Sequence, residues 1–138
     1  MKKAPFHLSL PCLSISKTKE FYVYLLGAHL GRFASHWLDI DLFGNQITFT
    51  KAGDFNFVFK TYKFENTLLP AFHFGVILDK GTWEKCYRRI SESEVKHTEK
   101  TLFLENKSGE HTSFFVQDPN GHTVELKCFS EQEEMFKV

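Results

Sequence analysis

The chain has few cysteines and no excess of charge of either sign. Its 138 residues include three cysteines, at positions 12, 86 and 128, without CxxC spacing, and this pattern argues for free thiols in a reducing compartment. We therefore expect a cytoplasmic protein. Seventeen basic residues balance seventeen acidic ones, so no broad electrostatic field favours nucleic acid or an anionic membrane surface. A small-molecule substrate is the partner that we expect instead.

Long apolar runs are also missing. The basic start of the chain leads into a short alternating segment rather than the continuous apolar stretch of a signal peptide, and no run is long enough to span a membrane. What the chain does have is 42% hydrophobic residues, 25% charged residues and sixteen phenylalanines. This composition is typical of a globular protein with a sizeable core, and the length fits one domain over residues 1–138.

The first half of the sequence, residues 5–51, predicts the element order βαβββ. In its first strand the apolar residues alternate with His7 and Ser9, so the histidine lies opposite the core-packed face. Ser14 or Ser16 can cap the helix, and Gly27 can end it. The predicted elements are a strand at 5–11, this helix, a strand at 37–42, a hairpin turn at Gly44-Asn45 and a returning strand at 46–51.

The second half, residues 72–129, repeats this order. Its elements are a strand at 72–78, a helix at 82–90 with Thr82 as its N-cap, strands at 101–104 and 111–117, a turn at 118–121 and a closing strand to Phe129. Between the halves, residues 52–71 alternate aromatic and polar side chains without a glycine-serine-rich stretch. We interpret this segment as an ordered arm rather than a flexible linker.

Offsets between the halves define which positions correspond. His7 and His73 are 66 positions apart and Gly44 and Gly121 are 77 apart, so the second half is 11 residues longer. The polar stretch at 106–109 is a place for part of this excess. The register pairs Gln46 with Thr123, Thr48 with Glu125, and Thr50 with Lys127, and the strand period puts all six on the face of the two histidines.

In these features the sequence resembles the vicinal oxygen chelate superfamily, which includes glyoxalases, bleomycin-resistance proteins, fosfomycin-modifying enzymes and extradiol dioxygenases. The resemblance covers nearly the whole chain. The segments that carry it are Phe6-His7-Leu8, Phe21-Tyr22 with Leu26-Gly27, Gly31-Arg32, the strand 37–42 with Phe43-Gly44, His73-Phe74-Gly75-Val76, and the turn 118–121 leading into Val124-Glu125-Leu126-Lys127. It implies an α+β fold, in which two βαβββ modules form a curved, open mixed sheet around a cleft.

The resemblance also implies a metal site in that cleft. Carried over by position, it assigns His7, His73 and Glu125 as ligands of one divalent ion and places Thr48 at the fourth position. A threonine hydroxyl is a poor metal ligand and cannot replace a carboxylate base near neutral pH. Two histidines and one carboxylate suit iron, and zinc, manganese or nickel can also occupy such a set. We expect open positions for water, dioxygen or substrate oxygens.

Several reactions stay open at this point. A substrate that chelates the metal through neighbouring oxygens fits dioxygenase, lyase and transferase chemistry, whereas Thr48 counts against the glyoxalase I reaction. Gln46, Thr48 and Thr123 are candidate substrate-binding residues. His111 is a candidate acid or base. The alternative is that it is an exposed residue at the start of a strand, without a role in the site. Asn45 stands where similar proteins carry a turn histidine.

Two further alternatives concern use of the cleft and assembly. A binding protein of the bleomycin-resistance type would use the same cleft to sequester a drug without catalysis, and a partner-binding domain is a third option. Taken singly, each strand histidine has an ordinary structural role as its default explanation. The aromatic arm favours a homodimer, in which ligands are drawn from one chain or from both.

Overall fold

The computed structural model describes residues 4–138. The basic start at residues 1–3, which we interpreted as no part of a signal peptide, lies outside the described residues. The strands are β1 (His7–Cys12), β2 (His29–Phe33), β3 (Trp37–Leu42), β4 (Asn45–Lys51), β5 (Thr61–Phe64), β6 (Thr67–Pro70), β7 (Phe74–Ile77), β8 (Thr101–Phe103), β9 (His111–Gln117) and β10 (Thr123–Phe129). The helices are α1 (Ile15–Lys19), a π-helical segment (Glu20–Leu25), α2 (Lys80–Ser91) and a 3-10 turn (Gln132–Phe136).

The chain divides into two compact units. The first contains the described residues up to 57 together with 118–121, and the second contains residues 58–117 and 122–138. Each unit has a four-stranded mixed sheet, in the order β1-β4-β3-β2 in the first and β7-β10-β9-β8 in the second. No helix within residues 4–138 is both long and apolar enough to cross a membrane.

The first sheet has one apolar and one polar face, as the alternating sequence predicts. Strand β1 runs parallel to β4, and β4 pairs antiparallel with β3. Ile47 and Phe49 are buried, and the ring of Phe49 lies 4.7 Å from that of Tyr22 in the π-helical segment. The alternate residues of the same strands, including His7 and Thr48, therefore lie on the opposite face.

The helix of the first unit begins where the sequence predicts, whereas the turn of the hairpin β3–β4 lies one residue earlier than predicted. Ser14 caps α1 by accepting a hydrogen bond from the Lys17 N–H at 3.3 Å. In the hairpin, the two turn residues are Phe43 and Gly44, with φ of 52° and 92°, and Asn45 already begins β4. The prediction of a Gly44-Asn45 turn was therefore wrong by one residue, because a tight hairpin needs positive φ at both central positions.

The turn 118–121 is part of the first unit, where it forms a buried polar network. Tyr22 donates its hydroxyl to Asp118 Oδ2 at 2.7 Å. Asn120 accepts a hydrogen bond from the Leu13 N–H at 2.8 Å, and its amide donates to Thr18 Oγ1 at 3.1 Å. These bonds satisfy polar groups that burial would otherwise penalise.

Strands β7 and β10 run parallel in the second sheet, and β10 pairs antiparallel with β9. Helix α2 packs on its apolar face, where the Trp83 indole donates to the Leu126 carbonyl at 2.8 Å. The N-cap of α2 is Asp79, which accepts hydrogen bonds from the Thr82 N–H and hydroxyl at 2.9 Å each. The prediction that Thr82 is the N-cap was wrong, because an aspartate three residues earlier caps the same turn.

The later part of the arm forms the hairpin β5–β6, which belongs to the second unit. Leu69 is buried with Phe103 and Phe115, and Phe64 lies 5.4 Å from Phe103 between ring centroids. Glu65, at the turn, accepts a hydrogen bond from the Leu104 N–H at 2.9 Å. Since Phe115 pairs with Glu125 across the strands, the hairpin covers the face of the second sheet that carries Glu125.

Candidate functional site

The second sheet brings His73 and Glu125 into contact. His73 lies one residue before β7, and its Nε2 is 3.2 Å from Glu125 Oε1. The other ring nitrogen, Nδ1, lies 3.0 Å from the Pro70 carbonyl oxygen. Because a carbonyl oxygen only accepts, Nδ1 carries the proton in that bond, and Nε2 donates to the carboxylate when the ring is protonated at both nitrogens.

Three side chains surround the Glu125 carboxylate. Besides His73, Ser113 donates to Oε2 at 2.7 Å, and Lys127 Nζ lies 3.7 Å from the same oxygen. Burial raises the pKa of Glu125, but the hydrogen bonds from His73 and Ser113 and the charge of Lys127 outweigh it and hold that pKa below its ordinary value. The hydrogen bond with Glu125 in turn raises the pKa of His73 against the opposing effect of burial.

These groups open into a small cavity of about 190 Å³. The polar residues at its wall are His73, His111, Glu125 and Lys127, and the apolar part is built by the arm and the sheet. The full lining is Tyr62, Phe64, Leu69, His73, Phe103, His111, Phe115, Glu125 and Lys127. A cavity with an aromatic wall and a few convergent polar groups is typical of a site for a small organic molecule.

His111, the candidate acid or base, lines this cavity. It is buried rather than exposed, with its ring stacked 5.4 Å from that of Phe103. Its Nδ1 lies 2.8 Å from the Gly109 carbonyl oxygen, so Nδ1 carries a proton and Nε2 is the nitrogen that can exchange one in the neutral ring. The expectation of an exposed strand start was therefore wrong for this side chain.

The first sheet carries a separate polar cluster. His7 is exposed at the start of β1 and pairs with Gln46 across the strands, while Thr48 lies two residues further along β4. Thr48 donates its hydroxyl to Asp39 Oδ1 at 2.6 Å, and Gln46 donates to Asp39 Oδ2 at 3.3 Å. Asp39 is 7% exposed, so this carboxylate faces the polar side of the sheet without lying in open solvent.

The His73–Glu125 pair fits a metal centre by two criteria. Ligands at ~2.1 Å from one ion lie about 3.0 to 3.4 Å apart when they are neighbours in its coordination sphere, and the observed separation of 3.2 Å falls in this range. The proton of His73 on the Pro70 side is also the arrangement that orients metal-binding histidines. Within neither unit do the described residues gather three or more histidine, cysteine, aspartate or glutamate side chains that could hold an ion.

The predicted residues thus fall into two groups. His73, Glu125 and His111 share the cavity of the second unit, and His7, Gln46 and Thr48 share the polar face of the first sheet. Among the described residues that line the cavity, Thr123 is not found, although it occupies the predicted register in β10 opposite Gln117. The sequence register of Thr48 with Glu125 is confirmed by the pairing of both strands.

Five contributors were not identified as site residues from the sequence. Ser113 and Lys127 contact Glu125, and strand alternation had only placed Lys127 on the correct face. For Asp39, the alternation of the strand at 37–42 shows that it faces away from Leu38 and Ile40 but not whether that face meets solvent or a cleft. Tyr62 and Phe64 belong to the arm and line the cavity. The sequence of the arm contains no turn motif that would predict its hairpin.

Comparison with known proteins shows what the chain is similar to. No family model and no curated protein matches the sequence. Among solved structures, a glyoxalase/bleomycin resistance protein/dioxygenase from Alicyclobacillus acidocaldarius is similar with a TM-score of 0.80 and 24% identity, over 97% of either chain.

The fosfomycin resistance protein FosX from Listeria monocytogenes is also similar, with a TM-score of 0.70 and 15% identity over 98% of this chain and 100% of that chain. Another structure of this FosX, in complex with Mn(II) and sulfate, has a TM-score of 0.69 and 15% identity over 98% of this chain and 97% of that one. At such identities the similarity establishes the fold. The chain has an α+β, glyoxalase-like fold, as the resemblance in its sequence implied.

Proposed function

We propose that the protein is an enzyme that uses one divalent metal ion, held by His73, Glu125 and His7, and acts on a small molecule that carries two neighbouring oxygens. The observation that carries the proposal is the His73–Glu125 pair, with its 3.2 Å separation and the Pro70 carbonyl behind the imidazole. The Mn(II) complex of FosX, a protein of the same fold, supports it. Iron, zinc, manganese and nickel all suit two imidazoles and one carboxylate.

The residues of the chain take distinct roles in this proposal. A bound divalent ion supplies Lewis acidity, which stabilises negative charge that develops on a substrate oxygen. His111 exchanges a proton through Nε2, because Gly109 holds the proton on Nδ1. Phe64, Phe103 and Phe115 give the cavity an aromatic wall, which lowers the local polarity and so strengthens charge interactions beside it.

The proposed reaction class is dioxygenase, lyase or transferase chemistry. His111 favours a reaction that moves a proton near the metal-binding pair, since it lines the same cavity as His73 and Glu125. Glyoxalase I chemistry is disfavoured, because Thr48 stands at the position of a second carboxylate. Gln46, Thr48 and Thr123 are proposed as substrate contacts.

We further propose a homodimer, in which His7 reaches the His73–Glu125 pair of a second copy of the chain. His7 is exposed, and its neighbour Phe6 is 61% exposed, which is a large apolar surface beside a candidate ligand. Burial of Phe6 against a second copy would stabilise the dimer by the area that it removes from water. A cytoplasmic location is also proposed, from the three free cysteines.

Metal binding by the purified protein tests the proposal. After removal of metal with a chelator, equilibrium dialysis against Mn(II) is expected to give one bound ion per chain. His73→Ala and Glu125→Gln are each expected to weaken Mn(II) binding by at least about tenfold. His36→Ala is the matched control, because His36 is exposed on a loop outside the site. Equal Mn(II) binding by wild type and His73→Ala would refute the proposed centre.

A binding protein without catalysis is the second candidate, and one observation favours it. The Glu125 carboxylate already has His73, Ser113 and Lys127 as partners, so the pocket is electrostatically satisfied without a cation. Such a protein would retain a drug-like ligand in the cavity equally well with and without Mn(II). A thermal shift assay against a panel of small aromatic anions, with and without Mn(II), separates the two functions.

A further inference from the structure

The hairpin β5–β6 forms one wall of the cavity in the second unit. Its residues Tyr62, Phe64 and Leu69 line the cavity together with His73 and His111. The two strands pair with each other as a separate two-stranded sheet, and the strand pairs of the described residues join neither of them to the four-stranded sheet of this unit. The hairpin is therefore attached to that sheet by side chains rather than by a ladder of backbone hydrogen bonds.

Few apolar side chains hold the hairpin on the sheet. All four residues of β5 are exposed, and within β6 burial is confined to Leu69. Leu69 packs with Phe103 and Phe115, and Phe64 approaches Phe103 but is itself exposed. A segment that buries so little apolar surface opens at a lower free energy than the core of the unit.

The polar groups of the cavity are scarcely accessible while the hairpin is in place. His111 is 8% exposed, and the side chains of His73 and Glu125 are 17% and 12% exposed. A ligand of more than a few atoms can contact these groups once part of the wall moves aside. The hairpin is the least firmly held part of that wall, so it is the part that moves.

The base of the hairpin is closed, so that the tip has the greatest freedom. The Ala71 N–H donates to the Lys60 carbonyl at 2.7 Å, and His73 Nδ1 lies 3.0 Å from the Pro70 carbonyl oxygen. These bonds hold the end of the hairpin that leads into β7. The opposite end, at Glu65, is the one that can swing.

A hydrogen bond between Glu65 and Leu104 holds this tip. Glu65 Oε1 accepts from the Leu104 N–H at 2.9 Å. Both residues have a left-handed backbone conformation, with φ of 52° and 54°, which is strained for a residue other than glycine. A glycine would relieve the strain at position 65 but would lack the carboxylate, so the glutamate serves the hydrogen bond rather than the turn.

The loop that receives the tip, residues 104–110, is itself fixed from its other side. Glu110 accepts a hydrogen bond from the Ser130 hydroxyl at 2.6 Å, and the Gly109 N–H donates to Glu134 at 2.8 Å. The loop therefore stays in place when the hairpin leaves it, and the movement falls on the hairpin.

We propose that the hairpin β5–β6 is a lid over the cavity and that Glu65 is its latch. When the carboxylate releases the Leu104 N–H, the tip swings away about the base, withdraws Tyr62 and Phe64 from the wall and admits the ligand. Closure restores the aromatic wall beside His111. This inference goes beyond the proposed function and does not require that the cavity hold a metal ion.

The rate at which diethyl pyrocarbonate modifies each histidine of the metal-free protein, followed by mass spectrometry, tests the latch. This reagent acylates the unprotonated nitrogen of a neutral imidazole, which in His111 is Nε2. We expect Glu65→Gly to raise the rate at His111 about five- to tenfold, because a hydrogen bond to a charged group contributes a free energy of that order. Glu65→Gln keeps an acceptor oxygen and should raise it about twofold or less.

Glu105→Gly is the matched control. Glu105 is exposed beside Leu104, so this variant loses the same charge and gains the same glycine without touching the latch, and His111 should react as in the wild type. His36 is exposed and should keep one rate in every variant, whereas His122 is 0% exposed and reacts if the whole unit unfolds. Circular dichroism and the melting temperature verify folding.

Three outcomes would overturn the inference. One is an equal or slower rate at His111 in Glu65→Gly, since a glutamate that only shapes the turn predicts a tighter hairpin once the strain is relieved. Another is an equal acceleration by Glu105→Gly, which would make the effect one of overall charge. The third is acceleration at His111 together with His122, which would show loss of the fold rather than opening of a lid.

Hydrogen exchange of the wild type decides the matter should Glu65→Gly not fold. We expect the hydrogen-bonded amides of β5 and β6 and the Leu104 amide to exchange together, at least about tenfold faster than those of β9. A hairpin whose amides are as protected as those of β9 would contradict the lid.

Discussion

Tyr22 and Tyr24 lie two residues apart and differ in what their hydroxyl groups do. The Tyr22 ring is buried and its hydroxyl donates to Asp118 at 2.7 Å, whereas Tyr24 is 69% exposed. We expect Tyr22→Phe to lower the free energy of unfolding by about 2 kcal/mol, because a buried carboxylate loses a donor. Tyr24→Phe should change it by less than about 0.5 kcal/mol. Urea denaturation measures both, and equal stabilities would show that the bond contributes nothing.

The same tyrosine predicts how stability depends on alkaline pH. Burial, the nearby charge of Asp118 and the hydrogen bond to it raise the pKa of Tyr22 well above its ordinary value. In the unfolded chain a tyrosine releases its proton near pH 10, about its ordinary pKa. Above that pH the unfolded state binds fewer protons than the folded state, so the free energy of unfolding must fall as pH rises.

Denaturation curves at a series of pH values check this sign. The wild type should lose stability more steeply than Tyr22→Phe once the pH passes about 10. Below that pH, titration of Tyr22 should not change the difference in the free energy of unfolding between the two proteins. A Tyr22→Phe variant with the same alkaline slope as the wild type would contradict the assignment.

Lys127 is expected to oppose binding of a cation at Glu125. Its Nζ lies 3.7 Å from Glu125 Oε2, and a positive charge there competes with a divalent ion for the carboxylate. Lys127→Met should lower the Mn(II) dissociation constant about two- to fivefold, because a partly exposed ion pair contributes a free energy of this size. Lys137→Met is the control, since Lys137 lies 3.7 Å from Glu134 in an exposed pair. Weaker Mn(II) binding by Lys127→Met would instead make Lys127 part of the support of the site.

At the scale of elements, the close approach of β7 and β10 depends on Gly75. A Cβ at this position would meet the backbone of Glu125, which cannot move aside without opening the sheet. Gly75→Ala should therefore cost about 3 kcal/mol of stability and impair Mn(II) binding, because it displaces the strand that carries Glu125.

Gly81→Ala is the matched control for this prediction. A Cβ at Gly81 in α2 meets Asp79 Oδ1 at 3.5 Å, an ordinary contact, and alanine is the better helix former by up to about 1 kcal/mol. Thermal denaturation should therefore show that Gly81→Ala is at least as stable as the wild type. Similar melting temperatures for the two alanine variants would contradict the account of the strand contact.

The sequence predicts those elements whose side chains alternate strongly between apolar and polar. Strands β3, β4 and β10 and helix α2 are of this kind, since each has one face of buried apolar residues. Strand β2 is exposed along its whole length. Its sequence therefore lacks the alternation of apolar and polar residues by which a strand is predicted. The hairpin β5–β6 turns at Glu65, which has a φ of 52°. Glycine is the usual residue at such a φ, so a turn made by glutamate is not recognised from the sequence.

At the scale of the molecule, the duplication allowed the candidate ligands to be predicted from the sequence. It did not predict which side chains contact one another. The repeat offset relates His7 to His73 and Thr48 to Glu125, and the strand registers confirm that relation. Contacts between side chains of different strands do not follow from offsets. The bond from Thr48 to Asp39 and the contact of Ser113 with Glu125 needed the structure, because rotamers and sheet twist decide them.

The proposed homodimer can be tested by mixing two inactive variants. His7→Ala and His73→Ala should each weaken Mn(II) binding by at least about tenfold, so that as homodimers they hold little Mn(II) at a concentration that just fills the wild type. If His7 comes from a second copy, chains refolded together restore one intact site in each mixed dimer, which gives about a quarter of the wild-type metal content. His73→Ala mixed with Glu125→Gln is the control and should restore none, since both residues belong to the same unit. Absence of recovery in the first mixture would contradict a site shared between copies.

The most direct test of the metal centre is a crystal structure of the protein grown with Mn(II), with data collected at the manganese absorption edge. We predict one anomalous peak per chain, at ~2.1 to 2.3 Å from His73 Nε2 and a Glu125 carboxylate oxygen, with a His7 imidazole as a further ligand. Crystals without a peak at the His73–Glu125 pair, or with manganese bound only elsewhere, would contradict the account.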